Sequence, residues 1–125
     1  GLVGSEMCIR DSVFPVSQRR ISIKIINHTD NTIKMGRNDY KLEFYNEGSQ
    51  AWENALPKDH AYLMIADVVL PHDTLELTIY EYTGKVGKYR VTKNVTATSE
   101  LNGISHDYVL SGQFHLSKKK EMLLE

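Results

Sequence analysis

The stretch at residues 74–83, TLELTIYEYT, is the feature that most limits what this chain can fold into. Three apolar residues, Leu75, Leu77 and Ile79, alternate there with polar ones. A period of two sends successive side chains to opposite faces, which is the pattern of a strand buried on one face only. The stretch therefore predicts a half-buried β-strand, and the other segments are interpreted as its neighbours.

The same alternation recurs along the chain and predicts further strands over residues 19–27, 39–47 and 87–97. Residues 107–116 are expected to hold two short strands around a Ser-Gly turn. The apolar run at residues 60–70 is compatible with a short helix or a buried strand, and its β-branched content favours a strand.

Turn-rich segments separate these strands. Residues 28–38 are expected to form a loop, and residues 48–59 a polar connection with Trp52 as its one large apolar anchor. About seven to eight short strands, with frequent turn signals and no long helix, predict an all-β fold, an antiparallel β-sandwich.

A chain of 125 residues has room for one domain. Residues 1–12 show no periodicity and look like a non-native leader of the kind that sequencing adapters leave, so they are set apart from the fold. Residues 13–117 are expected to form the sandwich, and residues 118–125 a charged tail or linker. The single cysteine, Cys8, cannot form an internal disulfide.

The composition excludes several classes of function. A net charge of -1 provides no field that would recruit nucleic acid. Neither a G-x-S-x-G nucleophile elbow nor a phosphate-binding loop is present, so we expect no catalytic residues and no enzyme activity. We also expect no metal and no cofactor, because zinc-ligand spacing is missing among His28, His60, His72, His106 and His115.

The order of these features resembles the C2 domain, the calcium- and lipid-binding β-sandwich of protein kinase C and synaptotagmin. Residues 34–45, KMGRNDYKLEFY, resemble the D-x-G-x-S-D-P-Y-V-K-V passage of that family. Residues 50–54, QAWEN, resemble P-x-W-N-E, and residues 75–83 resemble the strand that enters the third top loop. The resemblance implies a C2-like sandwich with calcium ligands in its first and third top loops.

The calcium positions that the resemblance implies are degraded. Lys34 stands where the first aspartate is expected, Asp39 matches the second, and Glu81-Tyr82-Thr83 replaces D-x-D. Calcium takes six to eight oxygen ligands, so several carboxylates must converge. Asp39 and Glu81 are therefore interpreted as vestigial positions, and the module as calcium-independent.

A small basic patch is expected if the loops are adjacent as the resemblance implies. Each Lys or Arg near an anionic lipid surface contributes roughly 1 kcal/mol, so four could give weak docking. The alternative is a solvated loop end of mixed charge. The candidate residues for a membrane or partner patch are Lys34, Arg37, Lys85 and Lys88.

Two functions stay open at this point. The first is a non-catalytic, calcium-independent C2-like module of membrane trafficking that binds a protein partner or docks weakly to anionic phospholipid, with the cytoplasmic or peripheral-membrane location that the resemblance implies. Tyr45 and Tyr80 would mark a partner surface if both were exposed on one sheet. The alternative is a secreted or structural immunoglobulin-like β-sandwich acting in adhesion or assembly, in which case the glycosylation sequons at Asn27 and Asn94 would matter.

Overall fold

A computed structural model describes residues 7–9, 12–15, 21–79 and 84–117 of the chain. These residues form ten strands and no helix, and so contain no helix that could cross a bilayer. The strands are β1 (Met7–Ile9), β2 (Ser12–Pro15), β3 (Ile21–Asn27), β4 (Thr32–Gly36), β5 (Lys41–Asn46), β6 (Ala51–Asn54), β7 (Ala66–Val69), β8 (Thr74–Ile79), β9 (Gly87–Thr98) and β10 (Ser105–Ser117).

The strands form a sandwich of two sheets. The smaller sheet has the order β1-β3-β8, and the larger has the order β2-β10-β9-β4-β7, with β5 paired to β9 and β6 paired to β5. Every pair is antiparallel except β2 with β10. The predicted all-β antiparallel sandwich is therefore confirmed, with one parallel pair at an edge.

The core lies between the two sheets and follows the alternation read from the sequence. In β3 and β8, Ile23 lies opposite Leu77 and Ile21 opposite Ile79, and all four side chains are buried. The larger sheet covers them with the inward residues of its own strands, such as Val91 in β9. Apolar burial of this kind, at roughly 25 cal/mol per Å², is the main term that stabilises the sandwich.

The long strand β9 is the central strand of the larger sheet. It pairs with β10 without interruption from Ser105 opposite Thr98 to Leu116 opposite Gly87. The two short strands expected at residues 107–116 are therefore wrong, because the Ser-Gly pair there continues the ladder instead of turning.

On its other side β9 has two neighbours, so the sheet forks. β5 pairs with residues 89–92 of β9, whereas β4 pairs with residues 96–98. The loop expected at residues 28–38 and the connection expected at 48–59 are wrong in part, because they contain β4 and β6. Pairing with distant strands makes these segments extended although their own sequence is rich in turn formers.

The first two strands lie in the N-terminal part that we expected to contribute little. β1 pairs with β3, and Pro15 ends β2 at an edge of the larger sheet, where proline is tolerated. β1 falls inside residues 1–12, whose non-native origin stays a prediction, as do the domain limits 13–117 and the tail 118–125. Residues 118–125 lie outside the described residues.

Candidate protein-interaction site

An exposed apolar segment connects β6 to β8. We call residues 62–70 the apolar edge segment. Its part Ala66–Val69 is a strand, at the edge of the larger sheet. The strand favoured for residues 60–70 is therefore confirmed in part, although it is shorter and mostly exposed, and the helix is wrong. Met64 is 103% exposed, and five other large apolar side chains in the segment are also exposed: Tyr62, Leu63, Ile65, Val68 and Leu70.

Hydrogen bonds hold this segment at Ile65 and at its C-terminal end. The backbone N–H of Arg37 donates to the Ile65 carbonyl at 2.8 Å. At the far end Asn27 Nδ2 donates to the carbonyls of Val69 and Leu70, at 3.2 and 3.1 Å. Together with the pairing of β7 to β4, these bonds fix the backbone of residues 65–70, where Ile65, Val68 and Leu70 are exposed.

Asn27 therefore has a structural role. Its side chain is fully buried, and Nδ2 also donates to the Asn31 carbonyl at 2.8 Å. In the folded chain the first sequon cannot present its asparagine to a glycan. The second, at Asn94, is exposed on β9.

Aromatic and cationic side chains share the outer face of the larger sheet near the β5–β6 hairpin. Tyr45 and Trp52 are cross-strand partners whose rings meet edge to face at 5.2 Å. The Arg90 guanidinium lies 4.2 Å from the centre of the Trp52 ring and its Nη2 bonds Glu43 at 2.8 Å, while Lys88 Nζ lies 5.1 Å from the centre of the Tyr45 ring. Such cation–π contacts stabilise the hairpin itself. Tyr80, the second tyrosine predicted for a partner surface, lies outside the described residues.

Lys93 is the buried charge that reasoning from sequence missed. It is only 1% exposed and lies on the inward face of β9, at the point where the sheet forks. Its Nζ donates to the carbonyls of Gly36 and Asp39, at 2.6 and 3.2 Å. Burial lowers the pKa of Lys93 from 10.5 to about 8, although the carboxylates of Asp39 and Asp67 oppose that shift. The alternation in β9, where Lys93 is in phase with buried apolar residues, is the signal that could have found it.

The four basic residues predicted to form one patch do not come together. Lys34 lies opposite position 96 of β9, whereas Lys88 lies near the start of that strand. Positions 88 and 96 are about 26 Å apart along a strand. Arg37 is paired with Asp67 at 2.9 Å, and Lys85 Nζ lies 5.6 Å from the centre of the Phe44 ring. A binding role for these residues stays a prediction, now for two separate places.

Among the positions that would correspond to calcium ligands, Lys34 and Asp39 lie in the described part of the chain, and of these two only Asp39 carries a carboxylate. Lys34 and Asp39 both line a depression of about 790 Å³ on the larger sheet, together with Asp107 of β10. Glu81 lies outside the described residues. Within residues 21–79 and 84–117, no group of three or more His, Cys, Asp or Glu side chains could hold a metal ion.

Comparison with known proteins identifies a different family from the one expected. A family model described as a bacterial Ig-like domain matches residues 1–115. No curated protein matches the chain.

Several solved structures are similar at low identity. The YadV chaperone is 9% identical with a TM-score of 0.44, over 90% of this chain and 52% of that chain, so this chain spans about half its length. A chain of the CsuC–CsuE chaperone–tip adhesion subunit complex of Acinetobacter baumannii is 10% identical, with a TM-score of 0.48 over 89% of this chain and 57% of that one. An MSP family member of C. elegans is 9% identical, with a TM-score of 0.47 over 90% of this chain and 98% of that one.

The expected C2 resemblance is wrong, because the family model that spans residues 1–115 is that of an Ig-like domain. The matches to C2 motifs involved only short stretches of sequence, and the structure places those stretches differently. Lys34, interpreted as a residue of a top loop, lies in the middle of β4, and Trp52 lies in a paired edge strand. That resemblance also implied phospholipid binding, membrane trafficking and a cytoplasmic or peripheral-membrane location. These expectations are wrong for the same reason. The alternative, an immunoglobulin-like β-sandwich, is confirmed.

Proposed function

The chain belongs to the bacterial Ig-like domain family, and we propose that it is a non-catalytic module that acts outside the cytoplasm and binds a protein partner in adhesion or assembly. Folds of this class are typically non-catalytic, but a fold alone does not specify a function. The proposal therefore has to rest on a surface of this chain.

The apolar edge segment is the observation that carries the proposal. Contiguous exposed apolar surface of this kind marks interaction sites in soluble proteins. Burying one Leu, Ile or Met side chain contributes roughly 1.5–3 kcal/mol. Covering several of them at once would offset the roughly 4–15 kcal/mol that association costs in lost freedom of motion. A partner that covers residues 62–70 can therefore be held by this segment.

Site-specific photo-crosslinking tests the proposal. A benzoylphenylalanine would replace Met64 in one variant and Leu101 in another, because their exposures of 103% and 98% match while Leu101 lies in the β9–β10 turn. In the producing cells, the Met64 variant is expected to form a discrete crosslinked protein adduct that the Leu101 variant does not form. The same adducts at both positions, or none at Met64, would contradict the proposal.

A further inference from the structure

The smaller sheet has an open edge along β8. β8 pairs with β3 on one side, and no strand of the described residues pairs with it on the other. In constant-type immunoglobulin sandwiches a fourth strand completes this sheet. Here the preceding strand, β7, pairs with β4 in the larger sheet instead. The place beside β8 is therefore vacant in the described part of the chain.

The hydrogen-bond pattern shows which groups of β8 face this edge. The Asn27 N–H donates to the Asp73 carbonyl at 2.9 Å, just before β8 begins. Since bonded and non-bonded positions alternate in an antiparallel ladder, Thr74, Glu76 and Thr78 turn their N–H and C=O groups away from β3. The Asp73 carboxylate accepts from the Thr74 N–H at 2.8 Å. The outward groups of Glu76 and Thr78 have no partner among the described residues.

A cleft lies directly beside these groups. It has a volume of about 290 Å³ and is bounded by residues 75–78 of β8 and by Arg37, Asn38 and Asp67. The Arg37–Asp67 ion pair forms part of the opposite wall. Asn38 Oδ1 is buried and accepts no hydrogen bond from the residues that the structure describes. The wall opposite β8 is therefore polar.

We propose that the free edge of β8 binds an extended segment of the partner protein, which pairs with Glu76 and Thr78 as an added strand. A polypeptide backbone offers N–H and C=O groups at the spacing that this edge requires, and strand addition is an established mode of peptide recognition. The inference rests on the proposed function for the existence of a protein partner and specifies how it is held. Asp67 belongs to both the cleft and the apolar edge segment, so one partner can cover both.

A proline substitution tests this edge selectively. Glu76→Pro removes the outward N–H and leaves the ladder bonds to β3, because the bonds of position 76 do not point to β3; edge strands tolerate proline in this orientation. Glu76→Ala is the matched control, since it removes the same carboxylate and keeps the N–H. If circular dichroism shows that Glu76→Pro does not fold, the same comparison is made between Thr78→Pro and Thr78→Ala.

The probe is a phage-displayed library of linear peptides, selected on the purified full chain. Enriched peptides are expected to carry alternating apolar residues and to bind wild type and Glu76→Ala alike. They should bind Glu76→Pro about ten-fold more weakly, the effect of one lost backbone hydrogen bond. Failure to enrich peptides, or equal binding to the proline variant, would overturn the inference.

Two further results separate this inference from the proposed function. If the Met64 crosslinks keep their wild-type yield in Glu76→Pro, the partner binds the apolar segment without the β8 edge, and only the inference fails. If wild type gives no Met64 crosslink, the proposed function fails, while the peptide selection still tests the edge. Sedimentation velocity tests whether a second copy of the chain occupies the edge. A wild-type dimer that is monomeric in the Glu76→Pro variant would show this, and would also overturn the inference.

Discussion

Replacing Lys93 by methionine should remove a pH dependence from the stability of the sandwich. Lys93 is buried at the fork of the larger sheet, where its ammonium donates to two backbone carbonyls. Burial lowers its pKa from 10.5 to about 8. Methionine fills a similar volume and cannot carry a proton, so Lys93→Met eliminates the titration at this position and keeps most of the packing.

The sign and size of the effect follow from proton linkage. Between pH 8 and 10.5 the unfolded chain keeps the Lys93 proton and the folded chain does not. The free energy of unfolding therefore rises with pH across this window, by up to about 1.4 kcal/mol per unit and about 3 kcal/mol in total. Below pH 8 both states are protonated, and the folded state bears the full cost of the buried charge.

At pH 7 the two effects of the substitution oppose each other. Lys93→Met removes that cost, but it leaves the carbonyls of Gly36 and Asp39 without their donor, at roughly 1–3 kcal/mol for each buried unsatisfied group. We therefore expect a small difference in stability between wild type and variant at pH 7. By pH 10 the wild type should have gained most of about 3 kcal/mol relative to the variant.

Urea unfolding at several pH values, followed by circular dichroism, measures this difference directly. Subtracting the variant from the wild type cancels the titration of all other groups. Lys24→Met, on the exposed face of β3, controls for the loss of a lysine from a strand. A difference between wild type and Lys93→Met that stays constant from pH 8 to 10.5 would refute the reasoning.

Three further substitutions have expected outcomes. Asn27→Ala should lower the free energy of unfolding by about 2–4 kcal/mol in urea titrations, because three carbonyls lose their donor; an effect below ~1 kcal/mol would contradict this. Gly87→Ala should cost about 1–3 kcal/mol in thermal unfolding, since φ is 144° and a Cβ would lie 2.9 Å from Phe44, whereas Gly84→Ala, with φ of 77° and open space, reports the strain alone. Arg90→Ala should change the fluorescence of the single tryptophan and cost about 1 kcal/mol; an unchanged spectrum would count against the stacked geometry.

The sequence predicts the core because the core depends on local alternation. Leu77 and Ile79 are buried, as their phase in residues 74–83 requires. β4 and β6 were not predicted, because their extended state depends on pairing with other strands: β4 with the distant β9, and β6 with β5. The phase of β9 points Lys93 inward, but only the folded chain brings the two carbonyls that accept from it.

The same limit explains the mistaken family and the missed edge. Two β-sandwich families can share strand patterns and short loop motifs while differing in which strands pair. The short turn between β7 and β8 would suit a hairpin, which would have closed the smaller sheet. Instead β7 pairs with β4 from Val69 opposite Ile33 to Ala66 opposite Gly36, and the Arg37–Asp67 ion pair reinforces that pairing, so the backbone of β7 stays in the larger sheet. Pairing with β4, which is distant in sequence, thus keeps β7 away from β8, and no strand of the described residues occupies the edge that we propose for a partner strand.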